Sequence, residues 1–171
     1  LRVRDLALVL AAREGADPDI VRLAALLHDI RKDAGREHAP VGAEESAQIL
    51  ADHGINGQVR SRVCDAIATH SGDNTPASPP ENLCLGDADL IDANFGLVAT
   101  WRFVTIRSGR DFQIYDTIAA MAEWLPQKNA LLTGLLTRSG REIARQRAAR
   151  MQVFCDQLRQ DVQNAHRNGT F

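Results

Sequence analysis

Leu23 to Leu27 is an unbroken apolar run, and it ends directly on a histidine beside an aspartate, His28 and Asp29. A segment that is apolar almost all round predicts a helix lying in the core. Carrying an imidazole and a carboxylate at its end is costly unless something compensates both groups. No other feature constrains the chain as much. The core must be built from helices, and one of them must deliver a polar pair to a protected place.

The rest of the chain reads as helices between short punctuated loops. Arg2 to Arg13 is amphipathic, with Val3, Leu6, Ala7 and Leu10 at helical spacing. "GADPDIV" restarts the chain, with Asp17 as N-cap and Pro18 at the first helical position. Arg31 to Glu37 is polar, Pro40 opens a third helix to about His53, and Gly54 ends it. Val59 to Thr69 predicts a fourth helix, "SGDNTPASPPEN" a loop, and Leu83 to Ile106 a fifth helix broken by "RSGRD". Phe112 to Leu125 predicts another, stopping before Pro126. A helical turn from Asn129 then leads to a last long helix, with Ser139 and Glu142 as its capping box and its end near Ala165. Strand alternation, internal repeats and low-complexity segments are absent, and only 5 % of residues are aromatic, which favours helix over sheet. A single all-α domain is expected over residues 1–171, a length sufficient for one full hydrophobic core.

The formal charge of −2 argues against a general nucleic-acid binder but leaves room for a small anion at a local cluster. Cys64, Cys84 and Cys155 are odd in number and show no CxxC pairing, so they read as reduced, buried thiols. No apolar run approaches the roughly 18 residues of a membrane span and no secretory pattern opens the chain. The cytoplasm is therefore the expected compartment, with neither nucleic acid nor membrane as partner.

Histidines occur at 28, 38, 53, 70 and 166. Neighbours on a helix point about 100° apart, so His28 and Asp29 cannot share a face, but at a helix end both can lean toward one point. A protonated histidine held by the helix dipole, with Asp29 as partner, is one reading of the pair. A metal site is the other: Mn, Fe, Co and Ni accept imidazole nitrogen and carboxylate oxygen together. His38, just before a helix, and His70, at the end of one, stand on rims where a cleft would form. "LGDADLIDANFG" adds Asp87, Asp89 and Asp92. Spacing allows only one of Asp87 and Asp89 to point inward and does not choose between them. Asp92 shares a face with Asp89, as a partner orienting a ligand or as a half-buried paired group. His53 and His166 read as helix-end and tail residues without function.

"LLHDIRK" and "GDADLIDA" together resemble the HD superfamily of metal-dependent phosphohydrolases. "HAPVGAEESAQIL" followed by "AIATHSG" is similar to its bacterial dinucleoside polyphosphate hydrolase branch, and "TRSGREIARQRAARMQVFCDQL" to a nucleotide pyrophosphohydrolase branch. The resemblance covers most of the chain. It implies an HD-like bundle of about six to eight helices, with a metal-site core over 1–110 and C-terminal helices over 111–171 packing on it. It further implies that Asp29 bridges two metals, His28 and Asp89 on the first, His38 and His70 on the second. One or two ions of Mn, Fe, Co or Ni would be the cofactor, and a metal-activated water the nucleophile. The family's first histidine would lie about two residues before Leu1, because Arg2 and Val3 fit its His-x-x-Arg-Val spacing.

Lys32, three residues beyond Asp29, reads as a solvated helix-end residue or, granted the family, as a phosphate contact. Arg147 falls within an apolar stripe of Ile143, Met151, Phe154 and Leu158, where it needs either a carboxylate or an anionic ligand. Arg138, Arg141 and Arg145 read as solvated, and Trp101 and Arg102 as core or as flanks of a base. The expected activity is metal-dependent hydrolysis of a nucleotide or other small phosphate ester or anhydride. A di-iron oxygenase of this superfamily and a degenerate, non-catalytic ligand-binding domain are the alternatives, and the C-terminal helices offer a homodimer contact.

Overall fold

The computed structural model describes residues 1–108 and 114–167, apart from the side chain of His166. Among them are eight α-helices and no strand: α1 Arg2–Glu14, α2 Pro18–Leu27, α3 His38–Asp52, α4 Gly57–Thr69, α5 Pro80–Asn94, α6 Leu97–Ser108, α7 Ile114–Ala130 and α8 Arg138–Arg167. Two 3₁₀ segments, Lys32–Glu37 and Leu131–Gly134, precede α3 and follow α7. The chain is all-α, as its periodicity predicts. No helix among the described residues is long and apolar enough to cross a membrane.

Local chemistry explains the helix ends. Asp17 caps α2 by accepting from the backbone of Asp19 and Ile20, with Pro18 at the first position, where no N–H is needed. Gly15 ends α1 and Gly54 follows α3, each with positive φ. His38 lies in the first turn of α3, because Pro40 is tolerated among the N–H groups that lack helical acceptors. Likewise Pro80 begins α5, three residues ahead of the predicted Leu83.

Several expectations are corrected. The predicted fifth helix is two, since Gly96 takes φ 96° between α5 and α6. Helix α7 continues through Pro126 to Ala130, without the N–H that residue 126 would have donated to the carbonyl of Ala122. Its predicted start at Phe112 and the break at "RSGRD" beyond Ser108 lie outside the described residues. Thr137, not Ser139, caps α8, its hydroxyl accepting from Gly140 N at 3.0 Å, because Ser139 is engaged by Glu14. Leu26 is 49 % exposed, so α2 is buried on one side only, through Ile20, Val21, Ala24 and Ala25.

The chain divides into two compact units. Leu1–Asp92 with Leu135–Arg141 form the first. Its core includes Leu6, Leu10, Ile20, Val21, Val63, Ile67, Leu85 and Ile91, all almost wholly removed from water. The segment 135–141 is tied into this unit by buried Asp87, which accepts from the backbones of Leu136 and Thr137 and from the Thr137 hydroxyl. Ala93–Gly134 and Glu142–Phe171 form the second unit, around Met121, Leu125, Met151 and Cys155. Beyond Arg141 the buried residues of α8 are Ala144, Ala148, Met151, Cys155 and Val162, while Phe154 is 40 % exposed. Within the second unit Trp101 is 70 % exposed, which excludes the core reading for it.

Candidate metal centre

Three histidines meet at helix ends in the first unit. His28 terminates α2, His70 terminates α4, and His38 opens α3. All three are buried. The last carbonyls of a helix have no internal donor, and two of the rings use them: His28 Nδ1 lies 2.9 Å from the Ala25 carbonyl and His70 Nδ1 2.6 Å from that of Ile67. His38 Nδ1 lies 2.8 Å from the Gly35 carbonyl. A carbonyl only accepts, so each Nδ1 must carry the proton. In the neutral rings that leaves Nε2 as a bare lone pair.

The three Nε2 atoms converge. His38 Nε2 and His70 Nε2 are 3.2 Å apart, and the His70 ring stands edge-on to both other rings. Two lone pairs that close repel unless a cation or proton lies between them. His28 Nε2 is buried with no hydrogen-bond partner. It stands 3.6 Å from Asp29 Oδ2 and 3.7 Å from Asp89 Oδ1, separations that leave space for a bridging ion.

Asp29 supplies its two oxygens in two directions. Oδ2 faces His28, while Oδ1 lies 3.6 Å from His38 Nε2, 3.9 Å from His70 Nε2 and 2.9 Å from Lys32 Nζ. Ligand atoms of His28, Asp29 and His70 fall within 4.8 Å of one another. Burial works against charge on His28, but Asp89 and Asp29 outweigh it and hold its pKa above the ordinary value. For His70 burial prevails and favours the neutral, ligating form. Burial would raise the Asp89 carboxyl, yet His28, His70 and Lys32 together keep it below the ordinary range. Imidazole nitrogens with fixed tautomers around carboxylate oxygens are a donor set that fits a divalent transition metal.

Comparison with known proteins bears on the family and the fold. Residues 1–94 match the family model of the HD domain. The chain belongs to the HD-domain family. Its helices are similar to those of YpgQ from Bacillus subtilis, at 28 % identity over 94 % of this chain and 82 % of that one, with a TM-score of 0.72. A second structure of YpgQ, in complex with ADP, matches at 26 % identity over 94 % and 86 % of the two chains, with a TM-score of 0.68. A predicted HD superfamily hydrolase from an uncultured Thermotogales bacterium matches at 26 % identity over 94 % and 77 %, with a TM-score of 0.67.

In this HD domain the two aspartates that spacing could not separate are both turned inward, to different ends. Asp89 faces His28, whereas Asp87 binds the start of α8. Asp92 accepts from Nε and Nη2 of Arg2, each at 3.0 Å, so its observed partner is on α1 and is not an imidazole. Arg141, predicted to be solvated, donates to the Leu135 carbonyl at 3.0 Å. Arg147 belongs to the second unit, where its aliphatic stem packs on Gly96 and no carboxylate among the described residues pairs with it. His53 bonds its own helix at the Ile49 carbonyl.

Sequence reasoning missed Gly86. A methyl group there would lie 2.9 Å from Asn74 Nδ2 and 3.3 Å from the His70 carbonyl, so glycine is what lets α5 close on the end of α4. Its place three residues before Asp89, on the same face of that helix, was the only available signal.

Proposed function

We propose that this protein is a divalent-metal-dependent phosphohydrolase acting on a nucleotide or another small phosphate ester or anhydride. The observation that carries the reading is the set of three buried imidazoles, each with Nδ1 spent on a backbone carbonyl and Nε2 aimed at the Asp29–Asp89 carboxylates. His28, Asp89 and Asp29 Oδ2 would hold one ion, and His38, His70 and Asp29 Oδ1 a second, with Mn, Fe, Co or Ni suited to that mixture of donors. When bound, the metal supplies Lewis acidity and lowers the pKa of a coordinated water, giving a nucleophile near neutral pH.

The chain's own residues supply the rest. Lys32 is 60 % exposed at the mouth of the cluster, tethered by its bond to Asp29. Its ammonium is placed to bind a phosphoryl oxygen and offset the charge that builds up during attack. The helix-end carbonyls of Ala25 and Ile67 keep the rings from rotating. The ADP complex of YpgQ supports a nucleotide as the substrate class.

Protein loaded with Mn, Co or Fe should release phosphate or pyrophosphate from at least one member of a nucleotide panel, and a chelator should abolish the release. Metal-loaded protein that releases none would contradict the reading. Oxygen consumption by iron-loaded protein, without phosphate release, would replace it with the oxygenase alternative.

A further inference from the structure

His38 has a problem that His28 and His70 do not. Those two end their helices, where free carbonyls are available to fix Nδ1. His38 opens α3, and the start of a helix offers unsatisfied N–H groups, which would face Nδ1 with donors instead of an acceptor. The chain solves this upstream, in the 3₁₀ segment Lys32–Glu37.

Gly35 adopts φ 62° and ψ −122°, the first central position of a type II′ turn, which an L side chain disfavours. This conformation turns its carbonyl back onto His38, where it accepts both the backbone N–H and Nδ1 at 2.8 Å. A methyl group on Gly35 would meet nothing within 4 Å, so the demand for glycine there is conformational and not one of space.

We infer that Gly35 is a positioning residue for the metal centre, setting through its carbonyl the tautomer and ring direction that aim His38 Nε2 at His70 and Asp29. The inference rests on the metal-binding reading above. It predicts that Gly35→Ala damages one ion site selectively. Fixing a ligating ring from behind is commonly worth about 10–100-fold in metal affinity.

The test is a calorimetric titration with Mn(II) or Co(II) of the wild type, Gly35→Ala and Gly54→Ala. Gly54 is also a positive-φ glycine with nothing within 4 Å, at the far end of α3, and so reports the general cost of strain. Gly35→Ala should lose one ion or bind it about 10–100-fold more weakly, while Gly54→Ala keeps wild-type affinity at a similar loss of thermal stability. Wild-type binding by Gly35→Ala, or equal loss in both variants, would overturn the inference. A wild type that binds no metal would instead sink the functional reading beneath it. Should Gly35→Ala fail to fold, zinc-loaded wild-type protein decides: ¹⁵N–¹H spectra of the His38 ring should place its proton on Nδ1, and a proton on Nε2 would overturn the inference.

Discussion

The contact between His38 Nε2 and His70 Nε2, at 3.2 Å, shows how a few atoms set the chemistry of the whole site. Once both Nδ1 atoms are committed to carbonyls, the facing nitrogens can share only a metal ion or a proton. Lys32 is the residue whose effect on activity separates most cleanly from folding, since its side chain is largely in water and its one bond is to Asp29. Lys32→Ala should therefore fold normally, bind metal, and lower kcat/KM on the order of 10²-fold, as loss of one charge-stabilising donor does. Steady-state phosphate release checks this. Asp92→Asn should have little effect. Although the Asp92 side chain is largely buried, its partner Arg2 lies mostly in water, so the pair should contribute about 1 kcal/mol, a thermal melt should move only slightly and metal affinity should not change. At this scale the sequence was informative where the residue type is rare and chemically committed: three of its five histidines, His28, His38 and His70, lie together around Asp29, whereas Asp89 was singled out by the family resemblance and not by spacing. It was uninformative where one carboxylate has several equivalent uses. Asp87 and Asp92 look like candidates by spacing, and only the third dimension reveals that one anchors the Leu136–Thr137 backbone ahead of α8 and the other holds Arg2.

Between elements, what matters is how closely α5 approaches α4. Gly86 makes that approach possible, because a side chain there would meet both the His70 backbone and Asn74, the latter held by its bond to the Asn82 carbonyl. Gly→Ala inside a helix normally stabilises by about 1 kcal/mol. Gly86→Ala should do the reverse, with overpacking of about 1–3 kcal/mol exceeding the propensity gain, and it should weaken metal binding because Asp89 travels with α5. Denaturation with and without metal reads both effects. A more stable variant would mean that the two helices are not held so close. Periodicity made the helices legible because burial repeats with the helical turn, but their ends depend on single backbone positions. Gly96 divides a continuous apolar pattern, and Pro126 fails to stop one. The stripe on α8 was misplaced toward Phe154, since apolar residues lie on both its buried and its exposed sides.

For the protein as a whole, the proposed metal and protons would compete for the same nitrogens. In the metal-free protein Asp89, lowered from 3.8, contributes stability above that value that is lost as pH falls through its folded pKa. His28, raised from 6.5, contributes below that value and loses the contribution as pH rises through its folded pKa. His70, lowered from 6.5, acts in the opposite sense and costs stability as pH falls below that value. The two histidines therefore act in opposite directions around neutrality, and the Asp89 contribution declines below about pH 4 in the metal-free protein. Metal at 100 times its dissociation constant should add about 2.7 kcal/mol. That increment should shrink from pH 8 to pH 5 as protons occupy the imidazoles. Calorimetric scans across this range check it, and a pH-independent metal effect would count against imidazole ligation.

Anomalous diffraction from crystals grown with Mn(II) or Co(II) tests the central claim most directly. The expected result is one or two peaks touching Asp29, one within bonding distance of His38 and His70 Nε2 and the other of His28 Nε2 and Asp89. Fully occupied metal elsewhere in the crystal, with no peak within reach of Asp29, would contradict it.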